Sequence, residues 1–468
     1  MKILLIFPPL TKSAFAPVYE TTSTGVGSYP PLGLLYLAAY LEKYSAHNVK
    51  VLDCAVDNID YLQLSDYIKK ENPQIAGIYS CTNYWWDAVN TARLIKKIDK
   101  NIVTMFGGPH VFIYPKETIN FPEIDYVVYG EGEFVSKELL DRLEKGYPCE
   151  DIAGVITKSN QNNQAIFQLQ KISDLDSLPF PARHLTPYKK YSSILAIKNP
   201  IATLMTSRGC PYNCYFCASD KIRKPRMRTP KNVVDELSAC VKMGVHNFIF
   251  FDELFTFPAG RAMQICDEII HRQLKIHWQI RSRADTLDTN LTKKLKQAGC
   301  NLIQFGIESG SPHIQKVLNK NLNLDKVRQV MKMVKSEGLL IYGDFLLGSP
   351  EETEEEIFQT VKFSKDLNLD YAIFSPTQIL PGTELYKRAM AERLIDSDYW
   401  REYALNPEKP LKRIYWMGEY EEVDKLARKC YKSFYLNPKY ILGSLGRIKS
   451  FKQLLWQLTG AVKTFLFS

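Results

Sequence analysis

Short apolar runs alternate with stretches of helical periodicity through the first 150 residues. Lys2–Phe7, Val49–Leu52, Ile75–Ser80, Ile102–Phe106 and Tyr126–Tyr129 read as strands, and Leu32–Lys43, Tyr61–Lys70 and Ala88–Lys97 as helices. Strands that are apolar throughout and separated by helices predict a parallel sheet covered on both faces, a doubly wound α/β domain over 1–150. Ligands of such sheets bind at the carboxyl ends of the strands. Those ends read Pro8-Pro9, Ser80-Cys81-Thr82, Gly107-Gly108-Pro109-His110 and Gly130-Glu131-Gly132-Glu133. Small residues there let a large ligand approach the backbone, although glycine also simply ends strands.

The rhythm stops over 151–199, where Pro179, Pro181 and Pro187 punctuate a polar stretch that reads as a linker. A second series follows. Its strands are Ala202–Ser207, Asn247–Asp252, His277–Arg281, Leu302–Ile307, Leu340–Leu347 and Tyr371–Leu380, with helices such as Val233–Met243 and Leu324–Ser336 between them. Six βα units in series predict a partial (β/α)6, TIM-like barrel over 200–395, with its chemistry at the C-terminal mouth. A mainly helical region completes the chain over 396–468.

Composition adds little except at the end. The 468 residues, 45% hydrophobic and 24% charged, suit a globular protein of two or three domains. After Asp424 there is no acidic residue but nine basic ones, which account for the whole net charge of +9. From Lys449 on, Phe451, Leu454, Leu455, Leu458, Val462, Phe465 and Leu466 share one helical face. Residues 449–468 thus read either as an interfacial helix making peripheral membrane contact or as a helix packed on the barrel. No module for nucleic acid accompanies the charge. No run of 18 apolar residues is present, and Met1–Leu10 reads as a first strand rather than a signal peptide. Ten cysteines without regular spacing do not make a disulfide scaffold, so the expected compartment is a reducing cytoplasm.

Chemistry concentrates in Cys210-Pro-Tyr-Asn-Cys214-Tyr-Phe-Cys217, just past the first barrel strand. Three thiolates within eight residues can wrap one face of a 4Fe–4S cubane and leave one iron open. A structural zinc is the alternative, but it wants four protein ligands. No Cys or His lies between Ala218 and Ala239 to supply the fourth.

Ser207-Arg208-Gly209-Cys210 through Cys217 resembles the signature of the radical S-adenosylmethionine superfamily. The resemblance implies Cys210, Cys214 and Cys217 as cluster ligands and S-adenosylmethionine as cosubstrate, cleaved to a 5′-deoxyadenosyl radical. It also implies an electron donor such as flavodoxin or ferredoxin. Residues at successive strand ends match the same pattern. Phe216 is expected near the adenine, Asp252 and Glu253 near the methionyl ammonium, and Arg283, with Arg281 on the same strand end, at the methionyl carboxylate. Glu308 matches the position of a ribose acceptor, and Gly343 and Gly348 those of close approach to the adenosyl group.

Upstream, Pro30-Pro31-Leu32-Gly33 through Leu41, Gly107-Gly108-Pro109-His110 and Tyr129-Gly130-Glu131-Gly132-Glu133 resemble the cobalamin-binding branch. That branch holds methylases and an anaerobic oxidative cyclase. The likeness implies a Rossmann-like cobalamin domain whose contacts would be Pro9, Ser80, Cys81, Thr82, Gly107, Gly108, Gly130 and Gly132. The first loop, Pro8-Pro9-Leu10-Thr11-Lys12, has no His to serve as the cobalt's lower ligand. The expected activity is methyl transfer to an unactivated carbon of a small or lipid-like substrate. Oxidative cyclisation or rearrangement is the runner-up. A cobalamin sensor with a vestigial barrel would not need the intact cysteine motif.

Overall fold

The structure is a computed structural model that describes residues 1–12, 14, 27–218, 225–411 and 414–445. Two compact units emerge. One comprises Met1–Ser193, Asn199–Thr203 and Ser397–Lys412, and the other takes the rest. The tail over 449–468 lies outside the described residues.

The first unit is built on six strands: β1 (Lys2–Phe7), β2 (Asn48–Asp53), β3 (Ile75–Tyr79), β4 (Val103–Gly107), β5 (Tyr126–Val128) and β6 (Val155–Ile156). Their spatial order is β2-β1-β3-β4-β5-β6, parallel except for the last pair. The chain reverses direction across the sheet between β1 and β3, so the crevice for a ligand opens at those two strand ends. Helices Leu32–Tyr44 and Gly132–Lys145 cover one face, burying Leu35, Leu41, Leu139 and Leu140 against Leu5 and Val51. The sixth strand falls inside the stretch 151–199 that reads as linker. Its two residues are too few to show a period, yet both are fully buried and pair antiparallel with β5.

The second sheet is formed by β7 (Ile201–Leu204), β8 (Asn247–Phe250), β9 (His277–Ser282), β10 (Cys300–Glu308), β11 (Leu340–Leu347) and β12 (Tyr371–Pro376), adjacent in strict chain order. This is the expected partial barrel. Its helices start where the sequence supplies caps. Thr353 and Glu356 form a capping box, and Asp288, Asn323 and Thr229 each accept a backbone amide.

Two strands end earlier than the apolar runs suggest. Strand β7 stops at Leu204 because the Thr206 amide turns to the Asp252 carboxylate (2.6 Å) instead of a neighbouring strand. Strand β12 stops at Pro376, which has no amide hydrogen to donate. Helix Tyr420–Tyr435 covers this edge. The Tyr431 hydroxyl accepts from the Phe374 amide (3.2 Å), and that of Tyr435 accepts from Ala372 N (3.1 Å) and donates to Ala372 O (2.8 Å). An open edge is thereby closed to another strand. Among the described residues, no helix is long and apolar enough to cross a membrane.

Candidate active site

The cysteine loop leaves β7 through a clamp. Asp252, fully buried at the end of β8, accepts from the Thr206 amide, the Thr206 hydroxyl and the Ser207 hydroxyl (2.9 Å). Burial raises its pKa and these donors oppose the rise. Arg261 braces the same turn by donating to the Thr206 and Arg228 carbonyls. Gly209 follows with φ 101°, and its amide donates to Glu253 (3.2 Å). Asp252 and Glu253 therefore shape the loop that carries the thiols, with both Asp252 oxygens engaged there.

Cys210, Cys214 and Cys217 are unpaired and half-buried. The loop between them is pinned by Tyr215 N to Leu318 O (3.0 Å), Leu385 N to Tyr215 O (3.0 Å) and the Asn319 amide to Asn213 O (2.7 Å). Among the described residues, no three Cys, His, Asp or Glu side chains are grouped around a position for one metal ion. Three thiols on one short loop suit a cubane, whose protein thiolates each bind a different iron. Burial raises the Cys214 thiol, and the cations Lys320 and Arg283 pull it back toward thiolate, the form that binds iron. Burial also raises Cys210.

Beside the loop, Glu308 ends β10 in the left-handed region at φ 68°. Its carboxylate meets the Lys320 ammonium at 2.9 Å, with both side chains more than nine-tenths buried. A side chain at Gly306 would stand 2.5 Å from that carboxylate and 2.9 Å from the ammonium, so only glycine leaves room for the pair. Lys320 also lies 5.9 Å from the Phe216 ring centre. Sequence reasoning missed Lys320, which sits in an Asn-rich turn without any motif to mark it. Arg283 is held by both Asp285 oxygens and the Lys320 carbonyl, stacks 3.8 Å over Tyr212, and points one nitrogen at the Cys214 sulfur (3.8 Å). Two predicted glycines have reasons in the fold itself. A Cβ at Gly343 would stand 2.7 Å from Leu369, and Gly348 has φ 69°.

Phe345 stacks on Phe374, which in turn meets Tyr431 and Phe434 of the covering helix. Strand alternation then turns Asp344 to the inner face. There the Gln304 amide donates to both its oxygens (3.1 and 2.8 Å). Burial, helped by the Glu308 carboxylate, pushes Asp344 up to about 7.

The first unit's strand ends are built differently. The Ser80 amide and hydroxyl both donate to Gly107 O (2.8 and 3.0 Å), and His110 N donates to Ser80 O (3.1 Å). Gly108 has φ 118°, and a Cβ there would stand 2.6 Å from Ser80 O. At Gly107 a Cβ would meet nothing within 4 Å, so protein packing does not require that glycine. Gly130 has φ 92°, Gly132 opens helix Gly132–Lys145, Pro9 is buried, and burial raises the Cys81 thiol. Asp87 holds the first loop, accepting from Thr11 N, Lys12 N and the Tyr61 hydroxyl. No sequence signal marks it, because a helical Asp looks like any solvated charge. His110 is fully buried, stacked 3.9 Å from Trp85 and linked through Nδ1 to the Thr82 hydroxyl (3.1 Å). Burial pushes it down to about 3, so it is a neutral packing residue at physiological pH. A flavodoxin-like strand order, small neutral strand ends and an unfilled space at Gly107 fit a large ligand such as cobalamin.

Known proteins resemble both regions of the chain. The family model for the Radical SAM superfamily matches residues 204–364, and that for the B12 binding domain matches 22–140. A protein of Pyrococcus horikoshii described as an uncharacterized methyltransferase is 38% identical over 94% of each chain. The anaerobic magnesium-protoporphyrin IX monomethyl ester cyclase of Rubrivivax gelatinosus is 27% identical over 94% of this chain and 80% of its own. Two solved structures share the fold. The radical S-adenosylmethionine methyltransferase TsrM from Kitasatospora setae has a TM-score of 0.68 at 18% identity, covering 84% of this chain and 75% of its own. The cobalamin-dependent S-adenosylmethionine radical enzyme OxsB has a TM-score of 0.73 at 16% identity, covering all of this chain and 72% of its own.

Proposed function

Because the chain belongs to the cobalamin-binding branch of the radical SAM superfamily, we propose that it transfers a methyl group to an unactivated carbon of a small molecule. The observation that carries this reading is the presence in one chain of an intact three-cysteine loop, backed by a buried Glu308–Lys320 pair, and of a sheet with small, open strand ends. When bound, the cluster and cobalamin supply the radical-generating and methyl-carrying chemistry, and the protein positions and shields them.

The chain's own residues have separable tasks. Cys210, Cys214 and Cys217 hold the cluster, and Asp252 fixes the turn that presents them. Glu308 accepts from the ribose hydroxyls of S-adenosylmethionine, and Phe216 flanks its adenine. Lys320 holds Glu308 in place, because a buried carboxylate needs a partner. Arg283, fixed by Asp285 and Tyr212, places positive charge at Cys214 and toward the methionyl carboxylate. Pro9, Ser80, Cys81, Thr82, Gly107, Gly108, Gly130 and Gly132 line the cobalamin ledge. A one-electron donor of the flavodoxin or ferredoxin kind starts each turnover.

Oxidative ring closure is the second reading, favoured by the 27% identity to the cyclase. The test is anaerobic turnover of reconstituted, reduced protein with S-adenosylmethionine and a cell extract. Formation of 5′-deoxyadenosine with a product heavier by one CH2 supports methyl transfer. A product lighter by two hydrogens supports ring closure, and no 5′-deoxyadenosine at all sinks both.

A further inference from the structure

Three adjacent strands place Arg281, Gln304 and Asp344 in one polar row on the inner face of the partial barrel. Arg281 on β9 stands in register with Gln304 on β10, and Asp344 on β11 stands opposite Gly306, two residues beyond Gln304. The Arg281 guanidinium lies 5.5 Å over the Phe251 ring, and no hydrogen bond or ion pair fixes it among the described residues. Asp344 receives both of its hydrogen bonds from one nitrogen, Gln304 Nε2. Each carboxylate oxygen keeps lone pairs free, and the neutral amide offsets the burial of the charge only in part. Lys320 is paired with Glu308, and among the described residues no hydrogen bond from it reaches Asp344, on which it acts only through its charge. A barrel gripping an apolar substrate would gain more from Leu or Phe at this position, since an under-partnered carboxylate costs stability.

We propose, building on the radical reading above, that Asp344 with Gln304 is a specificity site that anchors a water-soluble substrate by a hydroxyl or ammonium donor near the attacked carbon. Arg281 then faces an acceptor on the same substrate. A purely structural staple between β10 and β11 would need no acidic side chain, because Asn at 344 could pair with Gln304 equally well.

The experiment follows deuterium. Reconstituted full-length protein is reduced with S-adenosylmethionine in the presence of the water-soluble or the chloroform-soluble extract of source cells grown on deuterated medium. The mass of the 5′-deoxyadenosine formed is then read. The proposal expects one deuterium from the water-soluble extract only. It also expects at least a roughly tenfold loss of that transfer in Asp344→Asn, the usual cost of one charged hydrogen bond, with iron content retained. Should Asp344→Asn lose its iron, Gln304→Met, which strips the carboxyl of its side-chain partner, must show the loss instead. Deuterium from the chloroform extract, from neither extract, or undiminished in the variant overturns the proposal. Absence of 5′-deoxyadenosine from every reaction would instead sink the radical reading beneath it.

Discussion

The two parallel sheets of this protein make their strand ends in opposite ways. In the first unit the ends are Pro9, Ser80, Gly107, Gly108 and Gly130, with the nearby polar groups turned back onto the protein, as when Ser80 satisfies Gly107. In the second they are Asp252, Glu253, Arg281, Arg283 and Glu308, of which Asp252, Glu253 and Arg283 are tied to the cysteine loop and Glu308 to Lys320. A large, rigid ligand is held by shape and needs clearance. A small charged cosubstrate and an anionic cluster are held by paired charges, which must be fixed in advance because desolvating them is costly.

Removing charge from the second sheet should therefore do more damage than adding bulk to the first. Glu308→Ala leaves the Lys320 ammonium buried without a partner, and is expected to cost about 3–5 kcal/mol of stability. It should also weaken S-adenosylmethionine binding roughly tenfold or more. Adding Lys320→Met to that variant should recover most of the stability and none of the binding. Chemical denaturation and equilibrium binding separate the two, and a double variant as unstable as the single one would break the comparison.

Next in size, Gly108→Ala forces a side chain into the left-handed region and against Ser80 O, for about 1–3 kcal/mol. Thermal unfolding should show it in cobalamin-free protein. A shift of the midpoint by less than about a degree would contradict the geometry.

The pH response sharpens the contrast further. Asp344 is raised to about 7 in the folded barrel, by burial first and Glu308 second, while Arg281, Lys320 and Gln304 pull it down. An unfolded Asp ionises near about 4, so the unfolded chain gives up this proton first. The contribution of this group is thus fully present below about 4 and is lost as pH rises to about 7. Relative to Asp344→Asn, the wild type should lose about 1–2 kcal/mol across that window, partial solvent access limiting the effect. A difference in stability that stays flat with pH would show that Asp344 is not buried in charged form.

Smallest of all, Gly107→Ala should change stability by less than about 0.5 kcal/mol, since nothing lies within 4 Å of the new methyl group. It should nevertheless reduce cobalamin retention if that space belongs to the corrin. Full retention in the variant would detach Gly107 from the ligand.

Much of this is legible in the sequence, for reasons that differ between the regions. The strands of both sheets announce themselves because an uninterrupted apolar run between two helical patterns has little else to become but a buried strand. Cys210, Cys214 and Cys217 stand out because their spacing is rare. The edge strand Val155–Ile156 and the tyrosine hydroxyls that close the Ala372–Phe374 edge leave no trace, since neither two residues nor two tyrosines make a pattern. Lys320, Asp344 and Asp87 are single charges whose burial depends on neighbours distant in sequence, and a solitary charge reads as solvated until the fold encloses it. Asp252 shows the converse. Its place at a strand end suggests a contact to S-adenosylmethionine, whereas its oxygens hold Thr206 and Ser207 and shape the loop that bears the thiols.

The central claim is that this loop holds a catalytic iron–sulfur cluster, and iron counting tests it most directly. Anaerobically reconstituted wild type should contain about four irons per chain with the visible absorption of a 4Fe–4S cluster. Simultaneous replacement of Cys210, Cys214 and Cys217 by Ala should remove both while the far-ultraviolet circular dichroism stays the same. An unchanged iron content in that folded variant would contradict the account.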